Sequence, residues 1–295
     1  MNLTATKPTS TSPLAEGCAA VERSMRQLIA EFGDTNDSLS FAFSCHLESG
    51  GKRTRTEVSL SSSRSLGLNQ SDAIALASVV ELLHNASLIQ DDLQDRSLLR
   101  RGREAVWNRF GEDVAIGLTD LTISASFRAL SDLSDPSRLP ALLSALHRAI
   151  AVTLRGQAED LDGTTNDLSS AISTARRKSG PLFALSLELP LIAAGEEGFV
   201  DIARGAAECL GVGYQFCDDI ADVDQDRAGG TCGNIVLVLE KSGESPDALG
   251  DARRLAYQFL EKAVASALLL PSESGDALVE LATAVRRRLA NGSDE

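Results

Sequence analysis

Aromatic residues make up only 4% of this 295-residue chain, against a hydrophobic content of 43%. Sandwiches and barrels draw heavily on aromatic and β-branched residues, so this shortage, beside abundant Ala and Leu, predicts helices. Cysteine is scarce too. Cys18, Cys45, Cys209, Cys217 and Cys232 are odd in number and make no C-x-x-C, which suggests neither a disulfide framework nor a zinc site. His46, His84 and His147 form no H-x-x-x-H pair. A run of about 18 apolar residues is missing, so no membrane span is expected. The most apolar segment, residues 180–195, contains Glu188 and Pro190 and reads as a buried helix. Basic residues are outnumbered, 28 Lys and Arg to 42 Asp and Glu, for a net charge of −14. A nucleic-acid partner is disfavoured, because its footprint is basic. An anionic small substrate stays open, since a bound metal and local Lys or Arg reverse the field within one cleft. Residues 1–13 are polar, lack a signal-peptide apolar region and read as a disordered tail; a reducing cytoplasm fits best.

What is present is helical patterning. Helices are expected from Leu14 to Phe32, from near Ser38, from Lys52 to Leu66 after the Gly50-Gly51 break, and from about Ser71 to Asp95. Residues 96–111 are charged, contain two glycines and read as a loop with one helical turn. From Glu112 onward the pattern is helical almost throughout, with breaks near Pro136, Gly163, Gly195, Gly229, Gly243 and Pro271. Period-two strands are not evident, and no linker is long enough to split the chain. The expectation is one all-α domain over residues 14–295, with roughly ten or more helices.

Two aspartate clusters carry the chemistry. Asp91-Asp92-Leu93-Gln94-Asp95 and Asp218-Asp219-Ile220-Ala221-Asp222 are both D-D-x-x-D, and each ends an apolar helical run. Residues four apart share a helix face, so Asp91 stacks on Asp95 and Asp218 on Asp222. Like charges at that spacing repel by a few tenths of a kcal/mol, roughly. A hard cation such as Mg²⁺ offsets that repulsion and typically adds phosphate oxygens to one or two carboxylates. An acidic pair on a solvated face is the plainer reading, and its repetition after two apolar runs argues against it. His84 and Ser87 lie on the same stripe as Asp91 and Asp95. Arg100-Arg101-Gly102-Arg103 follows the first cluster, and Gly50-Gly51-Lys52-Arg53-Thr54-Arg55 precedes it. Two cationic groups beside two carboxylate clusters suggest two diphosphate substrates.

These residues resemble the trans-type (all-E) isoprenyl diphosphate synthases from about Gly50 to Asp226. The elements stand in family order: G-G-K-R-x-R at Gly50–Arg55, the first aspartate motif after His84, R-R-G at Arg100–Gly102, G-Q-x-x-D at Gly156–Asp160, K-S-G at Lys178–Gly180, and the second motif after Tyr214. The resemblance implies a single-domain, dimeric helical bundle around a deep apolar cavity, with both aspartate helices at its mouth. It implies that Asp91, Asp95 and Asp218 ligate three Mg²⁺ ions on an allylic diphosphate, supported by Asp92, Asp219 and Asp222. Arg100 and Lys178 would bind that diphosphate. Lys52, Arg55, His84 and Arg101 would bind isopentenyl diphosphate. Gln157, Asp160, Ser179 and Gln215 would be supporting or cation-facing groups.

In such enzymes the growing tail passes the helix of the first motif. Ser87 and Ala86, four and five residues before Asp91, are small, with Leu82 and Leu83 one turn below. This points past C15 to a C20 product. Departures from the family pattern are also present. No lysine follows the second motif, where the chain reads Arg227-Ala228-Gly229-Gly230-Thr231-Cys232, unless Arg227 or Lys241 reaches in. Thr56 replaces a proline, and Glu104 and Trp107 replace a proline and a histidine. Two alternatives stay open: a terpene cyclase on the same fold, and a non-catalytic regulatory subunit of a heteromeric synthase.

Overall fold

Ser12 accepts the Ala15 N–H at 3.2 Å and Pro13 fills the first helical position, so helix α1 (Pro13–Ala30) starts there. The computed structural model describes residues 12–34, 37–161, 167–229, 233–243 and 245–291, without the side chain of Asp160. The expected tail lies outside the described residues except for Ser12 and Pro13, and so does Cys232. Asp37 caps α2 (Ser38–Leu47), α3 (Thr54–Ser65) follows the glycine break, and Asn69 caps α4 (Gln70–Gln94) by accepting the Asp72 N–H at 2.8 Å. Then come α5 (Val106–Phe110), α6 (Glu112–Leu130), α7 (Leu139–Leu161), α8 (Leu168–Ala194) and α9 (Val200–Ala221). The chain continues through α10 (Val223–Gly229), α11 (Ile235–Ser242), α12 (Ala248–Ala267) and α13 (Asp276–Asn291). The described residues thus form an all-α bundle, as expected.

One correction concerns the loop. Besides the short helix expected there, α5, residues 96–111 hold a small antiparallel hairpin, β1 (Leu99–Arg100) with β2 (Arg103–Glu104). Its turn is Arg101-Gly102, both at positive φ (52° and 78°), the backbone a two-residue hairpin of this hand requires. Strands this short leave no period-two signal to read.

Helices α4 and α8 form the centre. Leu76, Val79, Leu82 and Ile89 of α4 and Leu185, Leu187 and Leu189 of α8 are fully buried. Helix α4 is long and apolar enough to cross a membrane by length and composition, but 78% of its apolar window is buried inside the protein. A helix apolar all round serves a core equally well. Close crossings depend on glycine: a Cβ at Gly156 would lie 2.8 Å from the Arg177 backbone, and one at Gly211 would lie 2.9 Å from Gly180 N.

Buried polar pairs tie the helices together. Glu188, fully buried on α8, accepts from Arg204 Nε of α9 at 2.9 Å and from Arg148 of α7. Removing one member of such a group leaves a buried charge and costs about 3–5 kcal/mol. His46 of α2 meets Asn85 Oδ1 of α4 at 3.0 Å. Burial brings its imidazole down to about 4, against a smaller opposing effect of the Asn85 hydrogen bond. The unfolded chain protonates near 6.5, so His46 contributes stability that is complete above that pH and lost as pH falls toward about 4. The shift corresponds to about 3 kcal/mol. His46→Gln is expected to flatten the pH dependence of the urea unfolding free energy between these limits; an unchanged slope would assign the dependence to other groups.

Candidate active site

Both aspartate motifs occupy the last turn of a long helix. Asp95 caps α4 and Asp222 caps α9, with their N–H groups bonded to Asp91 O (2.8 Å) and Asp218 O (2.9 Å). A helix C-terminus already carries partial negative charge, so each carboxylate there is unfavourable by roughly 0.3–1 kcal/mol. The protein builds this arrangement twice.

Within each motif the second aspartate turns inward. Asp92 is fully buried and accepts Arg100 Nε at 2.9 Å and Nη2 at 2.5 Å. Asp219 is buried and accepts Gln215 Nε2 at 2.8 Å and the Ile235 N–H, at the start of α11, at 3.0 Å. Both carboxylates therefore hold the framework, and Asp219 has both oxygens engaged by protein donors. Asp95 and Asp222 are exposed, and Asp91 and Asp218 are partly buried. Burial pushes Asp91 up to about 6, against the lowering influence of Lys178, and Asp95 adds to the rise. Asp219 also rises to about 6, chiefly by burial, against its two hydrogen bonds. Asp218 is raised by burial despite its bond to Arg288.

Helix α8 links the motifs. Lys178 lines a cleft with Asp91, while the next residue, Ser179, lies 3.5 Å from Gln215 of α9. Leu83, Ala86 and Ser87 of α4 form one wall, and Ile123 of α6 and Ile150 and Leu154 of α7 form the other. Leu82 instead packs into the core beneath α1 and α6. Thr153 and Gln157 bury polar side-chain atoms at this wall with no partner among the described residues.

The basic segments are held in unusual backbone. Arg53, at φ 52°, pairs with Glu81 of α4 at 3.0 Å, and Glu81 also accepts the Thr56 hydroxyl at 2.7 Å. The threonine that replaces a family proline thus pins the first turn of α3 to α4. Arg101, also left-handed, donates to Gly50 O and packs against Gly51, where φ is 140° and a Cβ would collide with its guanidinium. Arg55 stacks 3.9 Å from the Phe183 ring centre and donates to His84 Nε2 at 3.3 Å. A guanidinium only donates, so His84 is neutral there with its proton on Nδ1. Burial, reinforced by Arg55, keeps that imidazole well below its ordinary pKa. Arg55 itself is brought down to about 10 by burial. Lys52 is exposed.

Sequence reasoning missed Arg288 of α13, whose Nη2 donates to Asp218 Oδ1 at 2.6 Å. Arg227 pairs with Glu240 at 2.8 and 3.0 Å and does not reach the second motif. Glu81 was also missed, although an acid inside the run Val79–Leu83 is a readable signal. Trp107 donates to Ser97 O at 2.8 Å, closing the hairpin segment.

Among the described residues, no three His, Cys, Asp or Glu side chains form a closed metal site. The outward carboxylates come in pairs, with hard oxygen donors and one desolvated member each. That donor set fits Mg²⁺ completed by substrate oxygens, and fits zinc or copper poorly.

A helical bundle with paired C-terminal aspartate turns around an apolar cleft is the isoprenoid synthase fold. A family model for polyprenyl synthetase matches residues 36–232, and the chain belongs to that family. A geranylgeranyl pyrophosphate synthase of Geoglobus acetivorans is 30% identical over 67% of this chain and 64% of its own length. An all-trans-nonaprenyl-diphosphate synthase of Rhodobacter capsulatus is 32% identical over 77% of this chain and 69% of its own. The matched region spans between 56% and 64% of the first such relatives. The crystal structure of geranylgeranyl pyrophosphate synthetase from Pyrococcus horikoshii superposes with a TM-score of 0.83 at 24% identity, covering 93% of this chain and 97% of that one.

Proposed function

We propose that this protein is a Mg²⁺-dependent chain-elongating prenyltransferase. It joins isopentenyl diphosphate to an allylic diphosphate and makes a linear C15–C20 prenyl diphosphate, with C20 favoured. The observation that carries this reading is the first aspartate turn, where Asp91 and Lys178 meet at an apolar cleft, with a second such turn on α9, the helix that Ser179 reaches through Gln215. Asp91, Asp95 and Asp218, with Asp222, are the residues that would hold the metal, with three ions expected around the bound diphosphate. Bound Mg²⁺ supplies Lewis-acid charge to the departing diphosphate. Lys178 adds charge there, and Arg100 orients Asp92 and offers remaining donors to the same group. Lys52, Arg55, His84 and Arg101 suit the second diphosphate. The apolar wall from Leu83 to Leu154 excludes water while the allylic C–O bond opens and the double bond attacks the cation. The C–C bond forms, a proton leaves to the released diphosphate, and the double bond is restored, so no side-chain base is required. Thr153 and Gln157, whose buried side-chain oxygens line the cleft without a partner among the described residues, would offer lone pairs to the allylic cation.

The four described cysteines are free, which suits a reducing cytoplasm. Ile116 and Phe127, exposed on one face of α6, suit a homodimer. The test is product analysis with isopentenyl diphosphate and dimethylallyl, geranyl or farnesyl diphosphate in turn, with Mg²⁺. An elongated linear alcohol after dephosphorylation is expected. A cyclic hydrocarbon from one substrate alone would move the chain to the cyclases. Silence with all three would favour the regulatory subunit.

A further inference from the structure

The two aspartate motifs are alike in sequence but unlike in their counter-charges. In the first, the arginine pairs with the inward Asp92, leaving the leading Asp91 at the cleft. In the second, the arginine pairs with the leading aspartate itself. Arg288 Nη2 lies 2.6 Å from Asp218 Oδ1, and its guanidinium stands 5.5 Å from the centre of the Tyr214 ring, one turn back on α9. The side chains of the pair are 32% and 39% exposed, so the contact is neither a loose surface bridge nor sealed in the core. The fold sets this position. Leu278, Ala282, Val285 and Leu289 form the buried stripe of α13, and Arg288 sits beside its end. That stripe joins the core built by α9 and α12. The ring holds the planar guanidinium from one side and the carboxylate holds it from another.

Resting on the Mg²⁺ role proposed for Asp218, we infer that Arg288 is a built-in counter-cation of the second aspartate motif, which a divalent ion displaces to reach Asp218. Arg288 is a positioning residue acting through Asp218. The last helix is thereby coupled to metal occupancy, since α13 loses one of its anchors on α9 when the ion enters. The arrangement also places a cation at the second motif in a chain that lacks a lysine after it.

The test uses the full chain and Mn²⁺ alone, an oxygen-seeking ion visible by electron paramagnetic resonance. In Arg288→Gln, the weaker class of Mn²⁺ sites is expected to tighten about fivefold, the upper range for a partly exposed ion pair. Arg288→Lys keeps a competing charge and is expected to fall between wild type and the Gln variant, which guards against a folding defect in the latter. Asp218→Ala is expected to weaken the same class of sites, and adding Arg288→Gln to it should produce no tightening. If Asp218→Ala weakens binding and Arg288→Gln changes nothing, the counter-cation inference is overturned and the metal role of Asp218 stands. If Asp218→Ala leaves Mn²⁺ binding unchanged, that metal role falls and takes the inference with it.

Discussion

In the Asp91→Asn variant, kcat for elongation is expected to fall by about 10²–10³-fold or more, while thermal stability holds or rises. The two effects have one origin. Asp91 is raised to about 6 mainly by burial, so its folded-state pKa lies above the unfolded value of 3.8. A carboxyl shifted in that direction favours the folded state only while protonated, and the benefit disappears as pH rises through about 6. At neutral pH the ionised group therefore opposes folding, and it does so at the negative end of α4. Asparagine removes the charge while keeping the shape. A loss of rate with no loss of stability is the pattern of a residue retained for chemistry. Steady-state kinetics at saturating Mg²⁺ and a melting curve at pH 7.5 measure both. An unimpaired rate would remove Asp91 from the reaction, and a sharp fall in melting temperature would make it a structural residue.

The second large effect is on product length. Ala86→Phe is expected to shorten the longest product by at least one C5 unit. Ala86 stands with Leu83 and Ser87 on the α4 wall of the cleft, opposite Ile123, Ile150 and Leu154. An aromatic ring there projects toward that opposite wall and fills the path of the tail. Overpacking costs about 1–3 kcal/mol, which a bundle of this size tolerates. Leu154→Ala, on the facing wall, is expected to lengthen the product. Both are read from the chain lengths of the dephosphorylated alcohols. An unchanged distribution in Ala86→Phe would put the floor of the cavity on other helices.

Much of this protein was legible before any coordinates. The D-D-x-x-D spacing put Asp91 with Asp95 and Asp218 with Asp222, because helical periodicity is a local property. The start of α4 was legible for the same reason, since the capping chemistry at Asn69 acts within one turn. Ala86 and Ser87 drew notice only through the family resemblance, which takes the residues four and five before the first motif as the floor under the growing tail; in the structure both line the cleft. The opposing wall was not legible. Ile123, Ile150 and Leu154 come from two other helices, and nothing in an apolar residue's sequence neighbourhood says whether it faces a core or a cavity.

Charge pairing divides along the same line. The chain alone determined an all-α fold, two paired-carboxylate helix ends and two cationic segments, through periodicity, propensity and electrostatics acting within a few residues. Only the tertiary structure decided which aspartates turn inward to Arg100 and Gln215, which carboxylate anchors Arg53 and Thr56, and that the cation at Asp218 is Arg288, 70 residues away, and not Arg227. Those choices depend on how whole helices cross. A guanidinium acts over a few ångströms, and the chain that brings it there is not bounded by any such distance.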